Sequence, residues 1–144
     1  MKKPVFTGAA VAIVTPFTAS GDVNYDEFKK IIDHQIEHGT DAIVIVGTTG
    51  ESSAMTLKEH AEVVDFGCSY IAGRVPVVAG AGSNDTAAAI ELTREAAASG
   101  ADAVLSVTPY YNKTTQRGLI AHFEAIADCS DCPAILYNVP SRTG

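Results

Sequence analysis

Apolar residues along the chain fall into two alternating rhythms. Short, mainly apolar runs at residues 42–46, 76–79, 103–107 and 134–137 are rich in valine, isoleucine and alanine. Runs of that length predict strands buried on both faces. A further apolar stretch at residues 8–15, stopped by Pro16, predicts the first strand. Between the runs, apolar side chains recur three and four residues apart, the period of a helix with one buried face. Phe28, Ile31, Ile32 and Ile36 mark such a face on a helix over 25–38, with Gln35 among them. Asn24 is placed to cap that helix and Gly39 to end it. Thr56-Leu57-Lys58-Glu59 is a Thr-x-x-Glu capping box. It opens a second helix over 57–72, whose expected inner side carries Ala61, Val64 and Cys68. Asn84 or Asp85 caps an alanine-rich third helix ending near Ser99-Gly100, and Leu119, Phe123 and Ile126 define a fourth.

The strands after the first start near residues 42, 76, 103 and 134, a spacing of about 30 residues that matches a βαβ unit. Gly39-Thr40-Asp41-Ala42-Ile43-Val44 and Gly100-Ala101-Asp102-Ala103-Val104-Leu105 look like two copies of one helix-to-strand hinge. An iterated βα unit predicts an α/β fold with a parallel sheet and right-handed crossovers. Five strands and four helices fit a doubly wound sheet or a piece of a (β/α)8 barrel. The chain stops just after a strand, inside a motif-rich loop and with no closing helix. A complete barrel takes about 250 residues. The expectation is therefore residues 1–144 as the N-terminal portion of a single TIM-barrel domain: its first five βα strands, truncated before strand six.

Composition narrows the function classes. The 144 residues are 47% hydrophobic with a net charge of -7, which argues against nucleic acid or an anionic membrane as partner. No run approaches the roughly 18 apolar residues of a membrane span. The basic start and residues 9–14 imitate a leader only loosely, being too short and lacking a cleavage site. Three cysteines, Cys68, Cys129 and Cys132, form no paired framework and point to a reducing cytoplasm.

Every expected strand end carries polar chemistry. The second strand runs into Gly47-Thr48-Thr49-Gly50-Glu51-Ser52, where glycines allow a sharp turn and threonine hydroxyls and amides can hold an anionic or carbonyl oxygen. Later ends contribute Gly80 to Asn84, then Tyr110, Tyr111 and Asn112, then Tyr137, Asn138, Ser141 and Arg142. Threonine and tyrosine hydroxyls in series can pass a proton, each being donor and acceptor. Arg142 offers a two-pronged fork for a carboxylate. The set describes a site for a small carboxylate bearing a carbonyl, in which protons are shuttled rather than activated by a metal.

Gly47-Thr48-Thr49-Gly50-Glu51, Pro109-Tyr110-Tyr111-Asn112-Lys113 and Tyr137-Asn138-Val139-Pro140-Ser141-Arg142-Thr143-Gly144 resemble the dihydrodipicolinate synthase family, also called 4-hydroxy-tetrahydrodipicolinate synthase. It is a branch of the pyruvate-dependent class I aldolase superfamily. The resemblance runs from Thr7-Gly8 to the last residue, and the Ser141-Arg142 pair favours this branch over the sialic-acid lyases, where that arginine is usually absent. It implies a cytoplasmic lyase of lysine and diaminopimelate biosynthesis, a homotetramer built as a dimer of dimers, with no cofactor. Pyruvate forms a Schiff base with a lysine, and the enamine attacks L-aspartate-4-semialdehyde to give 4-hydroxy-tetrahydrodipicolinate. By the same resemblance, Thr49 binds the pyruvate carboxylate and Thr48, Tyr137 and Tyr111 form a proton relay. Tyr111 enters the neighbouring subunit's site, and Arg142 grips the semialdehyde carboxylate. The Schiff-base lysine is expected beyond residue 144; Lys113, in the tyrosine loop, is read as solvated, so the 144-residue chain alone is expected to be inactive. Ser53, His60, Gly82, Asn84 and Tyr110 match a lysine-effector site of some members, but Leu57 and Ala88 replace the usual histidine and glutamate. Two alternatives stay open: an N-acetylneuraminate lyase-like enzyme, or a non-catalytic half-barrel that binds or assembles.

Three further patterns carry bland readings. His34-Gln35-Ile36-Glu37-His38 has metal-like spacing but lies off the apolar face and has no third ligand. Cys129-Ser130-Asp131-Cys132 has no second pair. Gly80-Ala81-Gly82 lacks the third glycine of a dinucleotide fingerprint. No metal site is expected.

Overall fold

The computed structural model describes residues 4–144; Met1, Lys2 and Lys3, the basic start of the leader-like stretch, lie outside the described residues. Five strands form one parallel sheet in the order β1-β2-β3-β4-β5. They are β1 (Ala10–Ala12), β2 (Ala42–Ile45), β3 (Val77–Gly80), β4 (Ala103–Val107) and β5 (Ala134–Tyr137). Between them run α1 (Tyr25–Glu37), α2 (Leu57–Ile71), α3 (Thr86–Ala98) and α4 (Gln116–Ala127), and a single turn, α5 (Pro140–Thr143), follows β5. Sequential strand order has no reversal point. Right-handed crossovers then place α1 to α4 on one face, as in a barrel wall and unlike a doubly wound sheet.

Side-chain alternation separates the two faces. Ile43, Ile45, Val77, Ala79 and Val104 point to the helices and join Phe28, Ile32, Val63, Val64, Ile71 and Leu92 in the main core. On the other face Val44, Val78 and Ala103 stand in one row of the sheet and pack with Val5, Phe6, Leu105 and Ile135. The register therefore gives one thick helix-covered layer and one thin apolar layer. β5 is an edge strand, and Leu136, level with Ser106 of β4, is 60% exposed.

The repeated hinge is a repeated hydrogen-bond pair. The Asp41 carboxylate accepts from Ala9 N–H (2.8 Å) while Asp41 N–H donates to Ala9 C=O (2.9 Å). Asp102 does the same with Val77, at 2.8 and 2.9 Å. β3 and β5 are instead preceded by Pro76 and Pro133, whose carbonyls accept from Ile43 (3.0 Å) and Val104 (2.9 Å). Aspartate-led and proline-led strands thus alternate, and each aspartate occupies an N–H at the start of the preceding strand.

Helix starts follow the expected caps. Asn24 accepts from Glu27 N–H, Thr56 and Glu59 complete a reciprocal capping box, and Asp85 caps α3. The buried stripe of α2 differs from the sequence pattern: it comprises His60, Val63, Val64, Gly67 and Ile71, with Ala61 and Cys68 only half-buried. Gly67 explains the rotation, because a Cβ there would lie 2.7 Å from Ile45 Cδ1. Its absence lets the helix settle onto β2. Burial still pushes the Cys68 thiol up to about 11. β1 is shorter than the apolar stretch suggests, although Ile13 N–H still reaches Val44 C=O (3.1 Å). As the other edge strand, it is held on one side only. α4 buries His122 beside Ile126, with Nδ1 2.9 Å from the Thr86 hydroxyl. Among the described residues no helix is long and apolar enough to cross a membrane.

Two outcomes follow for stability. Asp102→Ala strips the partner from Val77 N–H and should cost about 1–2 kcal/mol in urea unfolding, whereas exposed Asp131→Ala should stay within about 0.5 kcal/mol. Burial lowers the pKa of both His60 and His122. The unfolded chain therefore takes up more protons as pH falls through about 6.5, and stability present above that value is lost towards the lower folded pKa. Calorimetry should show Tm falling between pH 7 and 5, with a shallower slope in His122→Gln.

Candidate active site

The site begins where β2 stops. Val46, 1% exposed, takes a left-handed conformation (φ 51°), rare for a β-branched residue, and turns the chain out of the sheet. Gly47 C=O then accepts from Gly50 N–H (3.0 Å), closing a four-residue turn with Thr48 and Thr49 at its centre. Among the described residues neither threonine N–H donates to a backbone carbonyl outside helices and strands. Both amides remain available to a ligand oxygen. Glu51 is also left-handed (φ 57°) and leads into a 3₁₀ turn, Ser52–Ala54.

Neighbouring strand ends hold this turn. The buried Thr15 hydroxyl, just past β1, donates to Gly50 C=O at 2.8 Å. On the other side β3 ends in Gly80, where any Cβ would collide with the Val46 carbonyl. Gly80 C=O lies 2.8 Å from His60 Nε2 of α2. A carbonyl only accepts, so His60 carries its proton on Nε2. Burial keeps the ring neutral by lowering its pKa, against the opposing pull of that carbonyl.

The loop after β4 carries the tyrosines. Asn112 N–H donates to Tyr110 C=O (2.8 Å), which leaves Tyr111 at the centre of a three-residue γ-turn with φ 66° and 91% exposed. Two amide side chains tie this loop to the one after β3: Asn84 Nδ2 donates to Tyr110 C=O and Asn112 Nδ2 to Asn84 C=O, each at 3.2 Å. Thr108 N–H donates to Tyr137 C=O (2.8 Å) and links onward to β5. Where the sequence suggests an open loop after β5, Pro140 at the first helical position starts α5 instead. The buried Thr143 hydroxyl donates to the Asn138 side-chain oxygen at 2.7 Å. That turn carries Arg142.

These strand ends enclose a cavity of about 330 Å³ whose walls include Thr48, Gly82, Tyr110, Tyr111, Arg142 and Thr143. A recess of about 30 Å³ joins Thr48, Gly80, Leu105 and Tyr137. Thr48 is common to both, so three of the expected catalytic groups, Thr48, Tyr111 and Tyr137, border adjoining spaces, and Arg142 faces the larger one. Thr49 is exposed and lines neither. A further cavity of about 140 Å³ is walled by Ser53, Leu57, His60, Gly82, Ala88 and Tyr110, among others. Asn84 stands beside it, bonded to Tyr110. Chemically, the main cavity combines an arginine fork with threonine and tyrosine hydroxyls, a set suited to a small carboxylate undergoing proton transfer.

Other sequence features lie elsewhere. Lys113 is exposed, with its alkyl stem alongside Gly144. His34 and His38 are exposed with ring centroids 4.1 Å apart, and among the described residues no three potential ligands gather as a metal site. Cys129 and Cys132 are free and half-buried. Sequence reasoning placed Thr15 and Ser52 at polar strand ends without giving either a role, and it assigned no turn to Val46 and no hydrogen bond to Thr143. Thr15-Pro16-Phe17, a hydroxyl followed by a strand stop, is a readable signal for the first. Nothing in a run of apolar residues marks Val46 as the turning point.

Comparison with known proteins identifies the family. Residues 5–144 match the profile described as the dihydrodipicolinate synthetase family. The 4-hydroxy-tetrahydrodipicolinate synthase of Lachnoclostridium phytofermentans is 61% identical over 140 residues, 97% of this chain and 48% of that protein. The chloride-inhibited dihydrodipicolinate synthase of Acinetobacter baumannii, solved in complex with pyruvate, has a TM-score of 0.92 and 50% identity over 95% of this chain and 47% of that one. The Cyanidioschyzon merolae enzyme, solved with lysine bound, has a TM-score of 0.92 and 46% identity over 99% and 49%. The chain spans about half the length of the relatives it matches, and its sheet corresponds to the N-terminal five strands of their barrel. On sequence and fold alike, this chain belongs to the dihydrodipicolinate synthase family.

Proposed function

We propose that the protein carrying this chain condenses pyruvate with L-aspartate-4-semialdehyde to 4-hydroxy-tetrahydrodipicolinate, through a Schiff base on a lysine lying beyond residue 144. The observation that carries this reading is the meeting of Thr48 and Arg142 on one cavity, with the Tyr137 recess beside it, at the C-terminal ends of parallel strands, where barrel enzymes place their chemistry. The turn centred on Thr48 and Thr49 presents amides and hydroxyls to the pyruvate carboxylate, with Thr49 acting from the exposed rim. Thr48 stands between the Tyr137 recess and the larger cavity and passes protons between Tyr137 and the Tyr111 phenol that a neighbouring subunit inserts, during imine formation. Arg142 grips the semialdehyde carboxylate through paired, charge-assisted hydrogen bonds. Lys113 is exposed, whereas an imine-forming lysine sits in a largely buried pocket. Tyr111, thrust outward on its γ-turn, completes the site of a neighbouring subunit in a cytoplasmic homotetramer. The 144-residue chain alone is then inactive.

The 140 Å³ cavity is the counterpart of an effector site for lysine. Leu57 and Ala88 in its wall provide neither a carboxylate nor an imidazole for an ammonium group, so feedback by lysine is weak or absent.

Borohydride reduction in the presence of pyruvate should leave a stable adduct on one lysine of the full-length protein; no adduct rejects the Schiff-base reading, and heavy trapping on the 144-residue chain rejects a lysine outside it. Arg142→Ala should lower kcat/KM for the semialdehyde by about 10²-fold, since truncating a charge-assisted pair costs about 2–3 kcal/mol, with pyruvate trapping intact. Lysine titrations of the full-length enzyme should show no saturable inhibition at submillimolar concentrations.

A further inference from the structure

We infer that Thr15 is a positioning residue for the pyruvate half of the site, acting through the Gly50 carbonyl on the two threonine amides. The inference rests on the pyruvate reading above. Thr15 is 3% exposed, and its hydroxyl donates to Gly50 C=O at 2.8 Å across 35 residues of sequence. Gly50 closes the turn through its own N–H to Gly47 C=O (3.0 Å). One residue therefore has both polar groups engaged: its N–H sets the turn, and its carbonyl sets the peptide plane that enters left-handed Glu51.

No slack exists around this anchor. A Cβ at Gly50 would lie 3.0 Å from Val46 Cα and N, and 3.2 Å from Thr15 Oγ1. The turn is thus pressed between its own entry residue and Thr15. Non-glycine residues at both ends, Val46 (φ 51°) and Glu51 (φ 57°), hold conformations that a free loop would leave. Thr15, from the segment that follows β1, donates to the turn itself. Without it the buried Gly50 carbonyl loses its partner, and the peptide planes bearing the Thr48 and Thr49 N–H groups are free to rotate off the pyruvate carboxylate. Thr15 lines none of the cavities described above; it works at one remove, setting the direction of groups that touch the ligand.

The test is steady-state kinetics of the full-length enzyme with each substrate varied, for wild type, Thr15→Val and Thr15→Ser. Thr15→Val should raise KM for pyruvate about tenfold, the value of one buried hydrogen bond, while leaving KM for the semialdehyde within about twofold. Thr15→Ser, which keeps the donor, should restore the pyruvate KM. A purely structural role would lower the active fraction and hence apparent kcat, moving neither KM. An unchanged pyruvate KM in Thr15→Val, an equal rise in both KM values, or a serine variant as impaired as valine overturns the inference. If Thr15→Val does not fold, Thr15→Cys carries the test: its weak donor should give an intermediate pyruvate KM, and a wild-type value overturns the role. Borohydride trapping of wild type separates the two levels. No pyruvate adduct there removes the pyruvate reading and this inference together, whereas an adduct with unmoved KM in the variants removes Thr15 alone.

Discussion

The reversal of the backbone at Val46 is the constraint on which the site depends. A valine held at φ 51° costs of order 1–3 kcal/mol, and β2 would otherwise run straight out into solvent. The side chain stays because it is fully enclosed by the helix-facing core. Its main chain can turn only because β3 ends in a residue without a Cβ, leaving room for the Val46 carbonyl. Core burial on one side and a missing side chain on the other together fix the direction in which Thr48 and Thr49 emerge.

From that point the strand ends are linked pairwise. The Thr15 hydroxyl joins the β1 end to the β2 loop, and His60 joins α2 to the end of β3. Asn84 and Asn112 join the β3 and β4 loops, and the Thr108 amide joins β4 to β5. Each link engages a backbone carbonyl near the end of a strand, where the ladder no longer supplies a partner and an unpaired buried group is costly. The opposite end of the sheet is secured differently, by the Asp41 and Asp102 carboxylates on backbone N–H groups. Polar groups thus tie the chain at both rims of an apolar sheet, carboxylates at the start of the strands and neutral groups at their ends. Neutral donors suit the end that the proposed function gives to a carboxylate substrate, because a fixed carboxylate there would repel it.

The regular parts of this arrangement were legible in the sequence because their signals are local. Apolar runs, the Asn24 and Thr56 caps, the period of the βα unit and the likeness of the two aspartate hinges each depend on a few adjacent residues. Residue types at the strand ends also named the hydroxyls and the arginine that border one cavity. What escaped notice depends on contacts across the fold. The α2 stripe rotated because Gly67 meets Ile45, a pairing that no helical wheel contains. Val46 continues the apolar run and yet leaves the strand, because the space it turns into is created by Gly80, 34 residues away on β3. His122 reads as a surface residue by type, but it is buried in α4 beside Thr86 of α3.

The distribution of unusual backbone carries the argument one step further. Among the described residues, five that are not glycine have positive φ: Val46, Glu51, Ala72, Tyr111 and Lys113. Ala72 caps α2, where a left-handed residue is an ordinary way to end a helix. The other four all belong to the loops after β2 and β4, on the same rim of the sheet. Local backbone preference gives no reason for that concentration, since each residue would relax at lower energy if the loops were free to do so. The positions of the four do share a consequence: two flank the threonine turn, and two lie in the tyrosine loop at the wall of the same cavity. Strain confined to the rim that holds Thr48, Tyr111 and Arg142 is what a pre-shaped binding site requires, because the ordering is done during folding and is not deducted from ligand affinity.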